Sequence, residues 1–249
     1  MEITFVLNGE KRQFDVTPSD TLFRLLRRAG LHSVKFGSED GSDGYSTVLV
    51  NGHPISSVTL LACQVDGDEV VTLEGLAGRQ HLGWHRAPVW HPLQQAFIDT
   101  GAIQSGYDTP ALILAGSALL KRCPNPTEAE VRDAISGIVS RETGYAKPVA
   151  AILRAAAILR GEDPGPIGDS PSAGLYPMPE ELLPPAGSGG DEPEALESGG
   201  PISRTITETR IRTHPKVFIT TEAERFDVVG QPLPKVDAPK LAQGHAAFV

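Results

Sequence analysis

Forty-two consecutive residues, 160–201, cannot join a packed core. They hold 9 Pro, 9 Gly, 9 Asp or Glu and one basic residue, Arg160. Proline removes backbone donors, glycine raises the entropy of ordering and clustered carboxylates repel one another, so too little apolar surface remains to offset ordering. The stretch reads as an extended acidic linker, stiffened locally by proline. It carries −8 of the formal −9 charge of the 249-residue chain. The rest is nearly neutral and lacks the basic surface that a phosphate backbone requires, which argues against nucleic acid as a partner. A core must come from residues 1–159, and residues 202–249 are left to lie on a surface as an extended arm.

Before the linker the pattern changes once. Residues 3–8 (ITFVLN) and 11–16 (KRQFDV) read as strands joined around Gly9. TPSDTLFRLLRRAG predicts a helix capped by Ser19 or Asp20, with Leu22, Phe23, Leu25 and Leu26 on its apolar face and Gly30 at its end. A polar, Gly-rich loop follows (KFGSEDGSDGYS), then TVLVNG, a strand entering an Asn-Gly turn, and EVVTLEG, a further strand. Strands around one helix predict an α+β domain over residues 1–78. Residues 86–159 carry four helical patterns, beginning at His91-Pro92, at Thr109-Pro110, after Thr127 with Glu130 three residues on, and near Pro148. They predict a small four-helix domain.

These residues resemble a known family. Lys35-Phe36-Gly37, Thr47 to Gly52 (TVLVNG), Glu74-Gly75-Leu76-Ala77, His91 to Phe97 (HPLQQAF), Gly101-Ala102-Ile103-Gln104, Pro124 to Thr127 (PNPT) and Thr143-Gly144-Tyr145 occur in the order of the small [2Fe–2S] subunit of the xanthine dehydrogenase family of molybdopterin hydroxylases. The resemblance covers residues 1 to 158. It implies a ferredoxin-like β-grasp domain followed by a four-helix domain, each holding one [2Fe–2S] cluster. The ligand pattern of the first domain falls on Ser38, Asp43, Ser46 and Val58, and that of the second on Ser105, Asp108, Ser140 and Glu142. None of the eight is a cysteine, and Cys63 and Cys123, the chain's 2 Cys, lie outside the pattern. Because such clusters are held mainly by thiolates, the sequence predicts a degenerate subunit that keeps the fold, with [2Fe–2S] absent and no metal of its own. The resemblance also implies molybdopterin in a large partner subunit, with Gln104 at the pterin and Gly101 and Gly106 keeping the backbone close. Tyr45 and Tyr107 are the candidates to fill the cluster volumes.

Other chemistry is thin. Ser38, Glu39, Asp40, Ser42, Asp43 and Ser46 offer hard oxygens suited to Ca²⁺ or Mg²⁺, but without EF-hand spacing, and a solvated turn-forming loop is the preferred reading. His81, His85 and His91 are close in sequence, yet Gly83 and Pro88 leave no helix to align them as zinc ligands. No P-loop, HExxH or GxSxG motif is present. Cys63 sits in an apolar setting that does not activate a thiol. The amino-terminal residues carry no secretory pattern and no apolar run approaches a membrane span, so a cytoplasmic location without a membrane is expected.

Residues 225–249 (RFDVVGQPLPKVDAPKLAQGHAAFV) are similar to the opening of the same family's large molybdopterin-binding subunit, through Val229-Gly230, Pro232-Leu233-Pro234, Lys235 to Pro239 and Gly244. The sequence thus predicts a non-catalytic component of a molybdopterin-dependent oxidoreductase complex. It would cover the cofactor and tether the large subunit, with a flavin subunit as a further partner. The alternative is a stand-alone binding or assembly module. A third reading, an electron-transfer subunit, follows from family membership alone.

Overall fold

The computed structural model describes residues 1–76, 78–82, 85–165 and 235–244. Strand β1 (Glu2–Leu7) turns Ile3, Phe5 and Leu7 inward in strict alternation. It folds back onto β2 (Glu10–Asp15), with Leu7 opposite Glu10, through Asn8 and Gly9 at φ 51° and 81°. Two positive φ angles in succession define the turn whose twist matches the flanking strands. The device recurs at Asn51-Gly52 (φ 51° and 81°), joining β3 (Thr47–Val50) to β4 (His53–Ser56). Strand β5 (Glu69–Val71) lies between β1 and β3, parallel to the first and antiparallel to the second, and the five-stranded sheet has the order β2-β1-β5-β3-β4. Pro54 stands in β4, an edge strand, where a missing donor is tolerated.

Helix α1 (Leu22–Arg28) buries Leu22, Leu25 and Leu26 against Ile3, Phe5 and Val70. Its cap is Thr21, whose hydroxyl accepts from Arg24 N at 3.3 Å, rather than Ser19 or Asp20. Asp20 instead accepts from Thr17 N at 3.0 Å and pairs with Arg28 at 2.9 Å.

The predicted strand EVVTLEG ends early, and Leu73–Leu76 form a helical turn, α2. The hairpin β6 (Gly78–Leu82) and β7 (His85–Val89) follows. Helices α3 (Pro92–Asp99), α4 (Thr109–Arg122), α5 (Glu128–Ile135) and α6 (Ala146–Leu159) then pack around a second core that includes Leu93, Phe97, Leu112, Val131 and Ile152. Gly116 lets α4 approach α6, since a Cβ there would stand 3.1 Å from Ile152 Cδ1. Among the described residues no helix is long and apolar enough to cross a membrane.

After the linker, Lys235–Gly244 pack against this second core through Ala238, Leu241 and Ala242, and helix α7 (Ala238–Ala242) stands where an extended arm is expected. The rest of the predicted linker and arm, residues 166–234 and 245–249, lies outside the described residues.

Candidate functional site

The fold brings the four positions of the second predicted set together. Ser105 precedes α4, Asp108 is its N-cap, and Ser140 and Glu142 lie between α5 and α6. Glu142 accepts from the Ser105 backbone N–H at 2.8 Å and also from the Ser105 hydroxyl. Ser140 Oγ accepts from Glu142 N at 3.1 Å, and Ser105 Oγ accepts from Tyr107 N at 3.1 Å. Asp108, 3% exposed, faces Ser140 and Glu142. Burial holds its carboxyl above the usual range and the nearby Glu142 adds to this, while the Ser140 hydrogen bond opposes it. A 410 Å³ open depression at this edge is lined by Gln104, Ser105, Arg141 and Glu142.

The first set is more dispersed. Ser46 Oγ accepts from Val58 N at 3.4 Å and lies 3.0 Å from Ser56 Oγ. Ser38 Oγ lies 3.4 Å from Ser42 Oγ, and Ser42 donates to Asp40. Asp43 Oδ1 accepts from Tyr45 N at 2.7 Å, whereas its Oδ2 is buried without a hydrogen-bond partner among the described residues. The loop hugs itself, because a side chain at Gly37 would collide with the Asp43 carboxylate.

Tyrosines join the two sets. The Tyr45 hydroxyl donates to the Val139 carbonyl at 2.6 Å, and that of Tyr107 donates to the Phe36 carbonyl. Their rings meet edge-to-face with centroids 5.4 Å apart. Val139 N returns a bond to the Asp43 carbonyl at 3.0 Å. Burial, with Asp108 and Asp43 nearby, raises the Tyr45 pKa, so its hydroxyl stays a donor. Lys35 lies 5.8 Å above the Tyr107 ring, and burial lowers the pKa of its ammonium. The sequence reading names both tyrosines as filler; their crossed hydrogen bonds depend on a loop-to-loop approach that no local pattern announces.

The third predicted group is the loop after α3. Gly101 and Gly106 have φ +63° and +84°, conformations that favour glycine. Between them Gln104 is exposed, and its carbonyl accepts from Lys235 Nζ at 2.7 Å. The sequence reading missed a network beside Gly244. Thr72 N donates to Asn8 Oδ1 at 2.8 Å and Thr72 Oγ1 to Glu74 Oε2 at 2.6 Å, while Ser33 N donates to Glu74 Oε1 at 2.8 Å. Its signal in the sequence was Glu74 in the EGLA motif.

Neither alternative metal reading gains support. His91 uses Nδ1 to accept from Leu93 N at 3.2 Å. The side chains of His81 and His85 lie outside the described residues. Among the described residues no group of three or more His, Cys, Asp or Glu side chains could hold a metal ion.

Comparison with known proteins identifies the framework. A family model described as a [2Fe–2S] binding domain matches residues 72–153. The chain is 42% identical over 153 residues to the nicotinate dehydrogenase small FeS subunit of Eubacterium barkeri, covering 60% of this chain and 91% of that protein. It is 39% identical over 153 residues to the xanthine dehydrogenase iron-sulfur-binding subunit of Escherichia coli O157:H7, covering 61% and 91%. Among solved structures, it resembles the aldehyde oxidoreductase from Desulfovibrio desulfuricans with a TM-score of 0.60 and 36% identity, over 65% of this chain but only 17% of that one. It resembles quinoline 2-oxidoreductase from Pseudomonas putida 86 with a TM-score of 0.57 and 35% identity, over 66% of this chain and 98% of that one.

These matches correct the expectation that [2Fe–2S] is absent. The matching domain is a cluster-binding one and the relatives are iron–sulfur subunits, so a [2Fe–2S] cofactor is what they imply for this chain. The expectation let the eight ligand positions outweigh the framework resemblance, whereas the matching domain and the relatives as a whole are iron–sulfur-binding. The donor set does not by itself fit the group: the eight positions offer hydroxyls, carboxylates and one aliphatic side chain, while such clusters take thiolates with occasional imidazole. The shared framework nonetheless places the protein, and the chain belongs to the family of small iron–sulfur-binding subunits of xanthine dehydrogenase, nicotinate dehydrogenase and aldehyde oxidoreductase type.

Proposed function

We propose that the chain serves as the small-subunit component of a molybdopterin hydroxylase-type complex, with a structural role. It presents the Gly101–Gly106 loop, and Gln104 above all, to the pterin of a large partner subunit. In this reading residues 1–78 are the ferredoxin-like β-grasp domain and residues 86–159 the four-helix domain. Residues 160–201 are the linker and 202–249 the tether, and the assembly is a cytoplasmic heteromer with a flavin subunit as a further member. One observation carries it: two left-handed glycines hold Gln104 outward at the rim of the depression it shares with Ser105, Arg141 and Glu142. Left-handed glycines on either side turn the loop so that the Gln104 side chain lies at the surface. The resemblance of residues 225–249 to the opening of large subunits supports the same partner.

The test is affinity purification of the tagged full chain from its native host, with analysis for molybdopterin. Co-purification of a large molybdopterin-containing chain, weakened by Gln104→Ala, is expected. Recovery of the folded chain without such a partner favours the stand-alone module and overturns the proposal.

A further inference from the structure

Lys235–Gly244 is seated on the chain's own body by contacts from separate elements. Lys235 Nζ donates to the Gln104 carbonyl at 2.7 Å. Gln94 in α3, fully buried, donates Nε2 to the Ala242 carbonyl at 2.8 Å. Leu241 lies over Gly106, where a Cβ would stand 2.7 Å from Leu241 Cδ1. Gly244 (φ +79°) closes on Ser33, where a Cβ would stand 2.7 Å from Ser33 Cβ. Ala238, Leu241 and Ala242 are 2%, 4% and 0% exposed. Yet α7 has five residues, too few to be stable alone. Its order therefore comes from the surface beneath it. With the segment seated, the Gln94 amide is fully buried and spends its Nε2 donor on the Ala242 carbonyl, so the segment both covers that amide and satisfies it.

We infer that α3, the Gly101–Gly106 loop and Ser33 form a recognition seat for the ten-residue segment 235–244. The chain fills this seat with its own segment and thereby closes it to the same sequence offered by another polypeptide. The tether through residues 166–234 makes the contact intramolecular, so the chain's own segment outcompetes a free one. Nothing in this inference depends on molybdopterin, and its failure is separable from that of the functional proposal.

The experiment uses the full chain, its Leu241→Asp variant and a fluorescent synthetic peptide of residues 231–249. A carboxylate at position 241 would be buried against Gly106, so the variant's own segment leaves the seat. Peptide anisotropy should rise with the variant and stay flat with the unmodified chain. No rise with a variant whose far-ultraviolet circular dichroism is unchanged, or an equal rise with both, overturns the inference. Should the variant fail to fold, hydrogen exchange on the unmodified chain decides. The amides of Leu241 and Gln243 should exchange at least about tenfold slower than in the free peptide, and equal rates overturn the inference.

Discussion

Asp108 is held among Ser140, Glu142 and Thr109 with its carboxyl pKa above 3.8, chiefly by burial. The unfolded side chain loses its proton near pH 3.8, while the folded one keeps it to higher pH. Across that window the native state binds more protons, and stability falls as pH rises through it. Asp108→Asn removes the ionisation and keeps an acceptor for Ser140. The variant should be more stable than the parent at neutral pH, with the advantage vanishing as pH is lowered toward 3.8; urea unfolding at a series of pH values measures this. The positions of Ser105, Asp108, Ser140 and Glu142 as one set were legible in the sequence only through the resemblance to the family's ligand pattern. Their pairing was not, because which carboxylate takes the Ser105 N–H depends on how the turn before α6 comes back over α4. Asp43 was legible as a ligand position of the resemblance and as a polar loop residue, but the burial of its Oδ2 beside Gly37 was not, because it depends on how the loop closes on itself.

Helix ends repeat the contrast. Thr127 and Glu130 form the capping box that their spacing predicts, with Thr127 Oγ1 accepting from Glu130 N at 3.3 Å and Glu130 Oε2 accepting from Thr127 N at 2.7 Å. Thr127→Ala should cost about 1 kcal/mol in denaturant unfolding. His91 lies outside the usual set of capping residues, and the sequence marks it as the start of the helix rather than as its cap. Nδ1 nevertheless caps α3, and burial, with Lys121 nearby, lowers its pKa from 6.5. The unfolded imidazole gains its proton near pH 6.5 and the folded one only at lower pH, so stability drops as pH falls through that window. Protonation also removes the acceptor that Leu93 N uses. His91→Asn keeps a capping oxygen without the titration and should flatten this part of the pH profile of thermal unfolding relative to the parent. Strands β4 and β7 went unread because Pro54 and Pro88 interrupt their patterns. α2 went unread because Thr72 bonds Asn8 and Glu74 and turns the chain out of the sheet, a tertiary event.

At the scale of the molecule, α4 packs against β3 and β4, and the two cores also meet where the loop of the first set reaches the turn after α5. Gly44 makes that approach possible: it has φ +73°, and a Cβ there would collide with the Gly137 carbonyl oxygen. Gly9 separates the two penalties, because it has φ +81° with nothing within 4 Å of a Cβ. Alanine at position 9 therefore carries only the cost of a left-handed backbone, about 1 kcal/mol. At position 44 the same strain is joined by displacement of the Gly137 backbone, and with it the Val139 N–H to Asp43 carbonyl bond and the Tyr45 hydroxyl bond that lie beside it. Gly44→Ala should lose roughly 2–4 kcal/mol. It should also weaken the coupling between the cores, so that a single calorimetric transition in the parent becomes two resolved steps, while Gly9→Ala lowers the midpoint and keeps one. Equal effects of the two substitutions would mean that the Gly44–Gly137 approach transmits no stability between the sheet and the helices.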